Sequence, residues 1–477
     1  MASPDTIAAI ATAPGSGGIG IIRVSGPRAL PILQKIFNRP IEFAPRRLEY
    51  GWALDAAGSP LDEVLAVFMP GPRTFSGEDT AEIHCHGGAA VLEAVLGAVY
   101  ALGARPAGAG EFTRRAFLNG RLDLSQAEAV AEMIAAPTLP GVHLARNKLA
   151  GRLSEKLDRL RRDLDWLRAR LYLAIDFPDE AEEEDSAPRL EREFQERAGR
   201  LVASLDELLL AYERAGIWRK GALAALAGQV NVGKSSLLNA LLGRRRALVS
   251  DRPGTTRDFI EESLNLGGLP LRLTDTAGLR LSDDQLETEG MELARDIFNQ
   301  ASVILMLLEA PKAAGILRSR AFTAADLSAE EREILDLYGP AAPPNKIFIV
   351  LHKADLAPGF QPPEVLLGCP CLAVSARAGL GLDQLAAALR QFIMRRSGSG
   401  AEPDFSDQVA PGQRQALILR EMRTELTALQ SEYADNIPAD LLSVRLDTAA
   451  AHLADLTGHS CTEDILDQVF SKFCIGK

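Results

Sequence analysis

Residues 228–235 read Gly-Gln-Val-Asn-Val-Gly-Lys-Ser, a spacing that suits the binding of a polyphosphate. Glycines let a backbone wrap closely around phosphate oxygens, and the N-terminus of a following helix adds N–H donors. Lys234 is then placed for the β- and γ-phosphates, and Ser235 for Mg²⁺. An ordinary glycine-containing turn is the alternative. Because the apolar run 222–227 and a helical pattern flank the loop in register, the sequence predicts a nucleoside triphosphate site.

Two downstream segments indicate a GTPase switch. Residues 271–278 combine a strand pattern with Asp275, which would hold Mg²⁺ directly or through water, and with Gly278, whose N–H could reach the γ-phosphate. Residues 254–258, Gly-Thr-Thr-Arg-Asp, supply hydroxyl groups where a first switch contributes a Mg²⁺ ligand, and Thr256 is the residue we choose.

A third segment indicates which base is bound. Guanine is normally selected by Asn-Lys-x-Asp after a strand, the Asp accepting from N1 and N2 of the base. Here the tetrad is His352-Lys353-Ala354-Asp355, and Ser375-Ala376-Arg377 would complete the base pocket. The sequence therefore predicts GTP rather than ATP.

Many GTPases carry a Gln after the Asp-x-x-Gly motif to orient the attacking water. This chain has Leu279 there, and an apolar side chain cannot orient water. Either another residue takes that role or hydrolysis is slow. The polar segment 283–290 contains several candidates, although it also reads as a plain solvated loop.

Length and composition bound the class of protein. The 477 residues exceed what one core usually serves, so about three domains are expected. Five cysteines in so long a chain do not resemble a disulfide framework, and neither a secretion signal nor a membrane-spanning run is recognised, so we expect a cytoplasmic protein. The net charge of −12 argues against broad affinity for nucleic acid without excluding a local basic surface.

The organisation along the chain follows from the periodicity. Short β-type runs at 20–24 and 64–68, with a helix near 90–102, predict an α/β domain. Leucines at alternating spacings of three and four predict one apolar seam on a long helix: Leu153, Leu157, Leu160, Leu164, Leu167 and Leu171. We expect an α/β domain at 1–119, helical segments at 120–218 and 382–477, and a GTPase domain with a doubly wound sheet inserted at 219–381.

The whole chain resembles the bacterial MnmE (TrmE) family of tRNA modification GTPases. The resemblance rests on the motifs above and on further segments: 14–20, 23–26, 75–79, 86–88, 110–119, 123–129 and the terminal Cys-Ile-Gly-Lys at 474–477. It implies a tetrahydrofolate-binding-like N-terminal domain that mediates dimerisation, a helical domain and a Ras-like P-loop GTPase domain.

The resemblance also implies how GTP is hydrolysed. The GTPase domains would pair across bound nucleotide, with K⁺ replacing an arginine finger by neutralising charge on the phosphates. The potassium ligands fall on Asn231, Ser250, Arg252 and Thr255, and the Mg²⁺ ligands on Ser235 and Thr256. The catalytic acid falls on Glu287, which would supply the function that Leu279 lacks.

The complete set of expected GTP contacts combines these motifs. It comprises Asn231, Val232, Gly233, Lys234, Ser235, Ser236, Ser250, Asp251, Arg252, Pro253, Gly254, Thr255, Thr256, Asp275, Thr276, Ala277, Gly278, His352, Lys353, Ala354, Asp355, Ser375, Ala376 and Arg377.

The family further implies a folate cofactor and two macromolecular partners. Folate contacts fall on Arg23, Glu82, Arg121 and Lys477, for 5-formyl- or methylene-tetrahydrofolate as a one-carbon source. Together with the flavin-dependent MnmG (GidA), family members place an aminomethyl-type group on C5 of the wobble uridine of tRNA. The expected assembly is a homodimer that joins MnmG in a hetero-oligomer, without a membrane.

Two cysteine-containing segments have open readings. Cys474 could act as a nucleophile toward an electrophilic intermediate or serve only a structural purpose. His84-Cys85-His86 resembles a metal cluster, but alternate residues of a strand face opposite sides. Packing or lining of the folate pocket is therefore preferred over a metal site.

Two functions of different classes fit the GTPase motifs. The first is a K⁺-stimulated GTPase in wobble-uridine modification, and the second is a GTP-switched factor for RNA or ribosome assembly. The folate-type N-terminal domain and the Cys-Ile-Gly-Lys terminus favour the first.

Overall fold

A computed structural model describes residues 5–38, 42–177, 187–229, 231–245, 261–275, 295–341, 345–396, 405, 407–458, 463–471 and 473–476. The chain divides into two compact units. The first holds residues 1–134, 145–210 and 409–477, and the second holds 135–144 and 211–408.

The N-terminal part of the first unit is an α/β layer. Its elements are β1 (Ile7–Ile10), β2 (Gly17–Ser25), α1 (Ala29–Ile36), β3 (Leu48–Leu54), β4 (Pro60–Met69), β5 (Thr80–Gly87), α2 (Ala89–Ala101), β6 (Arg105–Pro106) and α3 (Glu111–Leu118). The strand order is β3-β4-β5-β2-β1-β6, antiparallel except for the β1–β6 pair. Apolar residues of α1 and α2 cover one face of this sheet in a single core. The expected strands at 20–24 and 64–68 and the helix near 90–102 are confirmed.

Four helices follow: α4 (Leu124–Ala135), α5 (Leu139–Leu149), α6 (Arg152–Asp176) and α7 (Ala187–Lys220). All six leucines of the predicted seam on α6 are buried, which confirms the seam. Burial along one stripe, rather than intrinsic propensity alone, stabilises a helix of this length.

The second unit contains a seven-stranded sheet. In chain order its elements are β7 (Ala222–Ala227), α8 (Lys234–Arg245), β8 (Glu261–Leu266), β9 (Leu269–Asp275), β10 (Val303–Glu309), α9 (Ala310–Ser319), α10 (Ala329–Tyr338), β11 (Ile347–His352), β12 (Val365–Leu366), β13 (Cys369–Ala373) and α11 (Leu382–Arg396). The order is β12-β13-β11-β10-β7-β9-β8. Strands β13, β11, β10, β7 and β9 are parallel, whereas β8 and β12 pair antiparallel at the two edges.

The apolar runs of the sequence became the centre of this sheet. Every residue of β7 and β11 is buried, as a strand covered on both faces requires. The apolar runs at 303–308 and 347–351 form β10 and β11, which pair in parallel. On α11, Phe392 packs edge-on against Phe348 of β11, with ring centroids 5.8 Å apart.

The chain ends in three helices of the first unit, α12 (Gln413–Ala434), α13 (Ala439–Thr457) and α14 (Glu463–Phe470). The fold class is therefore as expected: an α/β N-terminal layer, a helical part and a doubly wound P-loop sheet. Among the residues described, no helix is both long and apolar enough to span a bilayer.

Candidate functional site

The loop after β7 has the backbone of a phosphate-binding loop. Gly228 and Gly233 have φ angles of 140° and 106°, and Asn231 lies in the left-handed region at 65°. A Cβ atom on Gly228 would lie 2.6 Å from the carbonyl oxygen of Leu307, and one on Gly233 would lie 2.4 Å from the ring of His352. Both positions therefore require glycine by conformation and by space.

Lys234 is drawn into the concave side of this loop. Its side chain donates to the carbonyl oxygens of Gly228 at 2.6 Å and of Gln229 at 3.0 Å, and the residue is only 7 % exposed. Asn231, Ser235 and Ser236 lie exposed on the loop and the first turn of α8. Amide and hydroxyl oxygens are ligands that suit hard cations, so the described part of the predicted K⁺ and Mg²⁺ sets has fitting chemistry.

His352, at the end of β11, contacts the loop rather than open solvent. Its Nδ1 lies 2.9 Å from the carbonyl oxygen of Val232, and the residue is 4 % exposed. Burial lowers the pKa of His352, so the ring is neutral at pH 7. Because a carbonyl only accepts, the single ring proton must sit on Nδ1. The first residue of the base-recognition tetrad thus links that tetrad to the phosphate loop by a hydrogen bond.

The two segments predicted to form the base pocket meet in the structure. Ser375 Oγ donates to Asp355 Oδ1 at 2.6 Å, and the backbone N–H of Ala354 donates to the carbonyl of Val374 at 3.1 Å. The hydrogen bond from Ser375 holds the pKa of Asp355 below its usual value, so the residue is a carboxylate at neutral pH. Lys353 forms an ion pair with Glu309 at the end of β10. Ala376 and Arg377 follow Ser375 on the same segment.

Several predicted nucleotide contacts lie outside the described residues. These are Ser250, Asp251, Arg252, Pro253, Gly254, Thr255, Thr256, Thr276, Ala277, Gly278 and the candidate acid Glu287. The backbone of Asp275 ends β9 in register with Leu226 of β7, next to the start of the phosphate loop.

A second cluster of predicted residues lies on the N-terminal sheet. Arg23 on β2 and Glu82 on β5 are cross-strand neighbours joined at 2.9 Å, and both side chains are 18 % exposed. Arg121 donates from Nε to the carbonyl oxygen of Thr74 at 3.1 Å. The next residue, Phe75, has its ring 5.9 Å from the Arg23 guanidinium. Arg23 and Arg121 therefore contact consecutive residues of one loop.

The C-terminal tail lies against the same sheet. Ile475 pairs with Ala109 in a β-bridge, and a Cβ on Gly476 would lie 2.2 Å from the carbonyl oxygen of Ile10. Ile10 follows Ala9, the cross-strand neighbour of Arg23. Cys474 is exposed. Lys477, the fourth predicted folate contact, lies outside the described residues.

The strand β5 separates the side chains of the His-Cys-His segment as expected. Cys85 is buried, and burial raises the pKa of its thiol to about 12. His86 is exposed and bonds through Nδ1 to Asp62 at 2.7 Å, which raises the pKa of its imidazole. In the part of the chain that the structure describes, no group of three or more His, Cys, Asp or Glu side chains is arranged to hold a metal ion.

Comparisons with known proteins decide the family. A family model for the GTP-binding protein TrmE N-terminus matches residues 6–121, and one for the MnmE helical domain matches residues 124–474. The chain belongs to the MnmE family. A tRNA modification GTPase MnmE from Nitratidesulfovibrio vulgaris (strain DP4) is 49 % identical over 482 residues and covers 100 % of both chains.

More distant MnmE proteins align equally far along the chain. The relative from Lawsonia intracellularis is 39 % identical and covers 99 % of this chain and 100 % of its own. That from Geobacter sulfurreducens is 39 % identical and covers 99 % of both chains. Among solved structures, the FeoB G-domain from Methanococcus jannaschii is 20 % identical, covers 36 % of this chain and 97 % of its own, and has a TM-score of 0.25.

Sequence reasoning missed two features of these sites. It placed His352 in the base pocket without its bond to Val232, because a long-range contact leaves no local pattern. It treated the segment 75–79 only as a family match, although its Phe75 lies against Arg23 and directly follows Thr74, which Arg121 contacts. An aromatic residue within a Gly- and Ser-rich turn is the signal that could have found it.

Proposed function

We propose that this protein couples GTP hydrolysis to modification of C5 of the wobble uridine in tRNA. The protein is a GTPase of the MnmE family. We further propose that it works with a flavin-dependent MnmG partner, uses a one-carbon unit from a tetrahydrofolate, and forms a homodimer in the cytoplasm.

The proposal that the protein binds GTP rests on the hydrogen bonds that link the base pocket to the phosphate loop. Asp355 is held as a carboxylate by Ser375, and guanine offers two N–H donors that a carboxylate can accept. His352 ties that pocket to Val232 in the loop that cradles phosphate. Because the base pocket is hydrogen-bonded to the phosphate loop, the two can bind the base and the phosphates of one nucleotide.

The proposed cations would bind at the mouth of the phosphate loop. Ser235 and Thr256 would hold Mg²⁺, and Asn231, Ser250, Arg252 and Thr255 would hold K⁺. When bound, such cations neutralise charge that develops on the transferred phosphoryl group. Glu287 would accept a proton from the attacking water, because Leu279 cannot orient it.

The proposal that the protein binds a folate is supported by the charged side chains around Arg23 and Glu82. A pterin presents N–H donors along one edge, which a carboxylate can accept, and the cofactor has an anionic tail that a guanidinium can bind. The Arg23–Glu82 pair and the exposed Arg121 offer both chemistries on one domain. Bound there, the cofactor would supply a one-carbon unit. Cys474 is the proposed nucleophile for the electrophilic intermediate.

Analysis of tRNA nucleosides tests this function. A strain of the source organism lacking the gene should lose its C5-modified wobble uridines, measured by mass spectrometry, and the intact gene should restore them. The variant Asp355→Asn tests the guanine pocket in the same strain. It removes the carboxylate proposed to bind guanine and should fail to restore the modified uridines. Unchanged wobble uridines combined with altered ribosome profiles would contradict the proposal and support the assembly-factor reading.

A further inference from the structure

We propose that Phe75 is a further ligand-contacting residue of the folate site, whose ring stacks on the flat pteridine, and that Arg115 is the residue that positions it. This inference rests on the proposed function, because it takes the folate cofactor as the ligand. It adds one residue to the four folate contacts that the family resemblance implies.

Phe75 stands in an unusual setting for an apolar side chain. It is 36 % exposed, although it belongs to a well-packed loop. Its ring lies 5.9 Å from the Arg23 guanidinium, which is also 5.9 Å from the ring of Phe112 on α3. The preceding residue, Thr74, accepts the hydrogen bond from Arg121. The ring of Phe75 thus lies by Arg23, whose partner is Glu82, and follows the residue that Arg121 contacts. An apolar ring close to these charged groups suits the flat pyrimidine ring of a reduced pterin, which has polar edges.

The loop that presents Phe75 is fixed by hydrogen bonds on both sides of the ring. Thr74 Oγ1 donates to the carbonyl of Glu78 at 2.6 Å, and Asn119 Nδ2 donates to the carbonyl of Ser76 at 2.8 Å. The hydroxyl groups of Ser76 and Ser25 lie 2.6 Å apart. Such a loop presents its aromatic ring with little ordering left to occur on binding, which favours affinity.

Arg115 holds this loop in place through hydrogen bonds to Glu78. It is 3 % exposed, and its Nη1 donates to both carboxylate oxygens of Glu78, at 3.3 and 3.0 Å. Its Nη2 donates to Asp5 at 2.7 Å and to Glu111 at 3.1 Å. Glu78 also accepts from Ser25 Oγ at 2.8 Å. Buried between three carboxylates, Arg115 reaches the ligand only through Glu78 and the loop, so it positions Phe75 without touching the cofactor.

The test measures binding of 5-formyl-tetrahydrofolate to the full-length protein by titration calorimetry. Phe75→Leu keeps apolar volume but removes the ring, and should weaken binding about tenfold, as loss of one stacked aromatic face does elsewhere. Phe75→Tyr keeps the ring and should bind like the unsubstituted protein. Phe177→Leu makes the same change at an exposed phenylalanine of the helical part and should leave affinity unaltered.

A double-mutant cycle tests the positioning role of Arg115. Arg115→Lys keeps the charge but loses the forked contacts, so it should also weaken folate binding. If Arg115 acts through Phe75, adding Arg115→Lys to Phe75→Leu should cost little more affinity. Additive losses would overturn the positioning role. Equal affinity of Phe75→Leu and the unsubstituted protein would overturn the stacking role while leaving the proposed function intact. No binding by the unsubstituted protein would overturn the folate site and this inference together.

Discussion

At the scale of single residues, His352 replaces the asparagine that guanine-recognition tetrads normally carry. Its Nδ1–H bond to Val232 shows how a different side chain keeps the link between base pocket and phosphate loop. The amide nitrogen of an asparagine occupies nearly the same place relative to Cα as Nδ1 of histidine. The amide of a glutamine extends one bond farther, toward Nε2.

We therefore expect His352→Asn to keep GTP affinity within about threefold, since it can still donate to Val232. His352→Gln and His352→Ala should raise the Kd for GTP about three- to tenfold, the effect of one lost hydrogen bond. Nucleotide titration with a fluorescent GTP analogue measures this, and thermal unfolding of each variant checks that the fold is kept. A His352→Ala protein that binds GTP like the unsubstituted one would show that the bond to Val232 does not support the site.

The same scale shows what sequence could not supply. Asp355 and Ser375 were paired in advance because the two motifs have fixed chemical roles in a known kind of site. No motif in the sequence assigned a chemical role to Arg115. Its partner Glu111 lies four residues earlier on α3, a spacing that helical periodicity can indicate. Its other two carboxylate partners, Asp5 and Glu78, are distant in sequence, and no local pattern indicates them.

At the scale of elements, local periodicity was a good guide. The seam of α6 follows from spacings of three and four within one helix, and the central strands follow from continuous apolar runs. The docking of the tail beside β1 was not predictable, because it rests on one isolated bridge between Ala109 and Ile475 and on the close approach of Gly476 to Ile10. A two-residue contact at such separation has no periodicity to detect.

The phosphate loop is the element whose conformation bears on potassium. Asn231 holds a left-handed φ of 65°, a conformation that asparagine and glycine tolerate best. Asn231→Gly therefore permits the same backbone conformation and removes the side chain, including the amide oxygen proposed to bind K⁺. We expect the unsubstituted protein to hydrolyse GTP at least about tenfold faster in KCl than in NaCl, because a bound cation stabilises developing charge. Asn231→Gly should hydrolyse GTP at similar rates in both salts.

A neighbouring asparagine serves as the control for this comparison. Asn239 is exposed on α8, beyond the loop, and Asn239→Ala should keep the full difference between KCl and NaCl. Steady-state phosphate release at matched ionic strength is the measurement. Equal rates of the unsubstituted protein in the two salts would remove the basis for any potassium ligand, whereas continued stimulation of Asn231→Gly would exclude Asn231 alone.

At the scale of the whole molecule, the proposed chemistry is divided between the two compact units. The phosphate loop and base pocket belong to the second unit, whereas the folate candidates and Cys474 belong to the first. The chain's net charge of −12 argues against broad affinity for nucleic acid as the explanation of function. Because the candidate sites lie in separate units, we expect that a substitution in the first unit can abolish the proposed modification while GTP hydrolysis continues.

Two substitutions test that separation. Glu287→Ala should slow GTP hydrolysis at least about a hundredfold, the effect of losing a general base, while GTP affinity stays within about threefold. If hydrolysis drives modification, this variant should also fail to restore modified wobble uridines in the deletion strain.

Cys474→Ser should hydrolyse GTP at the unsubstituted rate yet fail to restore the modification, since a hydroxyl is a far weaker nucleophile than a thiolate at neutral pH. Cys369→Ser is the control thiol, buried in the second unit, and should restore the modification as long as the protein folds. Normal turnover by Glu287→Ala would refute its catalytic role, and normal modification by Cys474→Ser would reduce that cysteine to a structural residue.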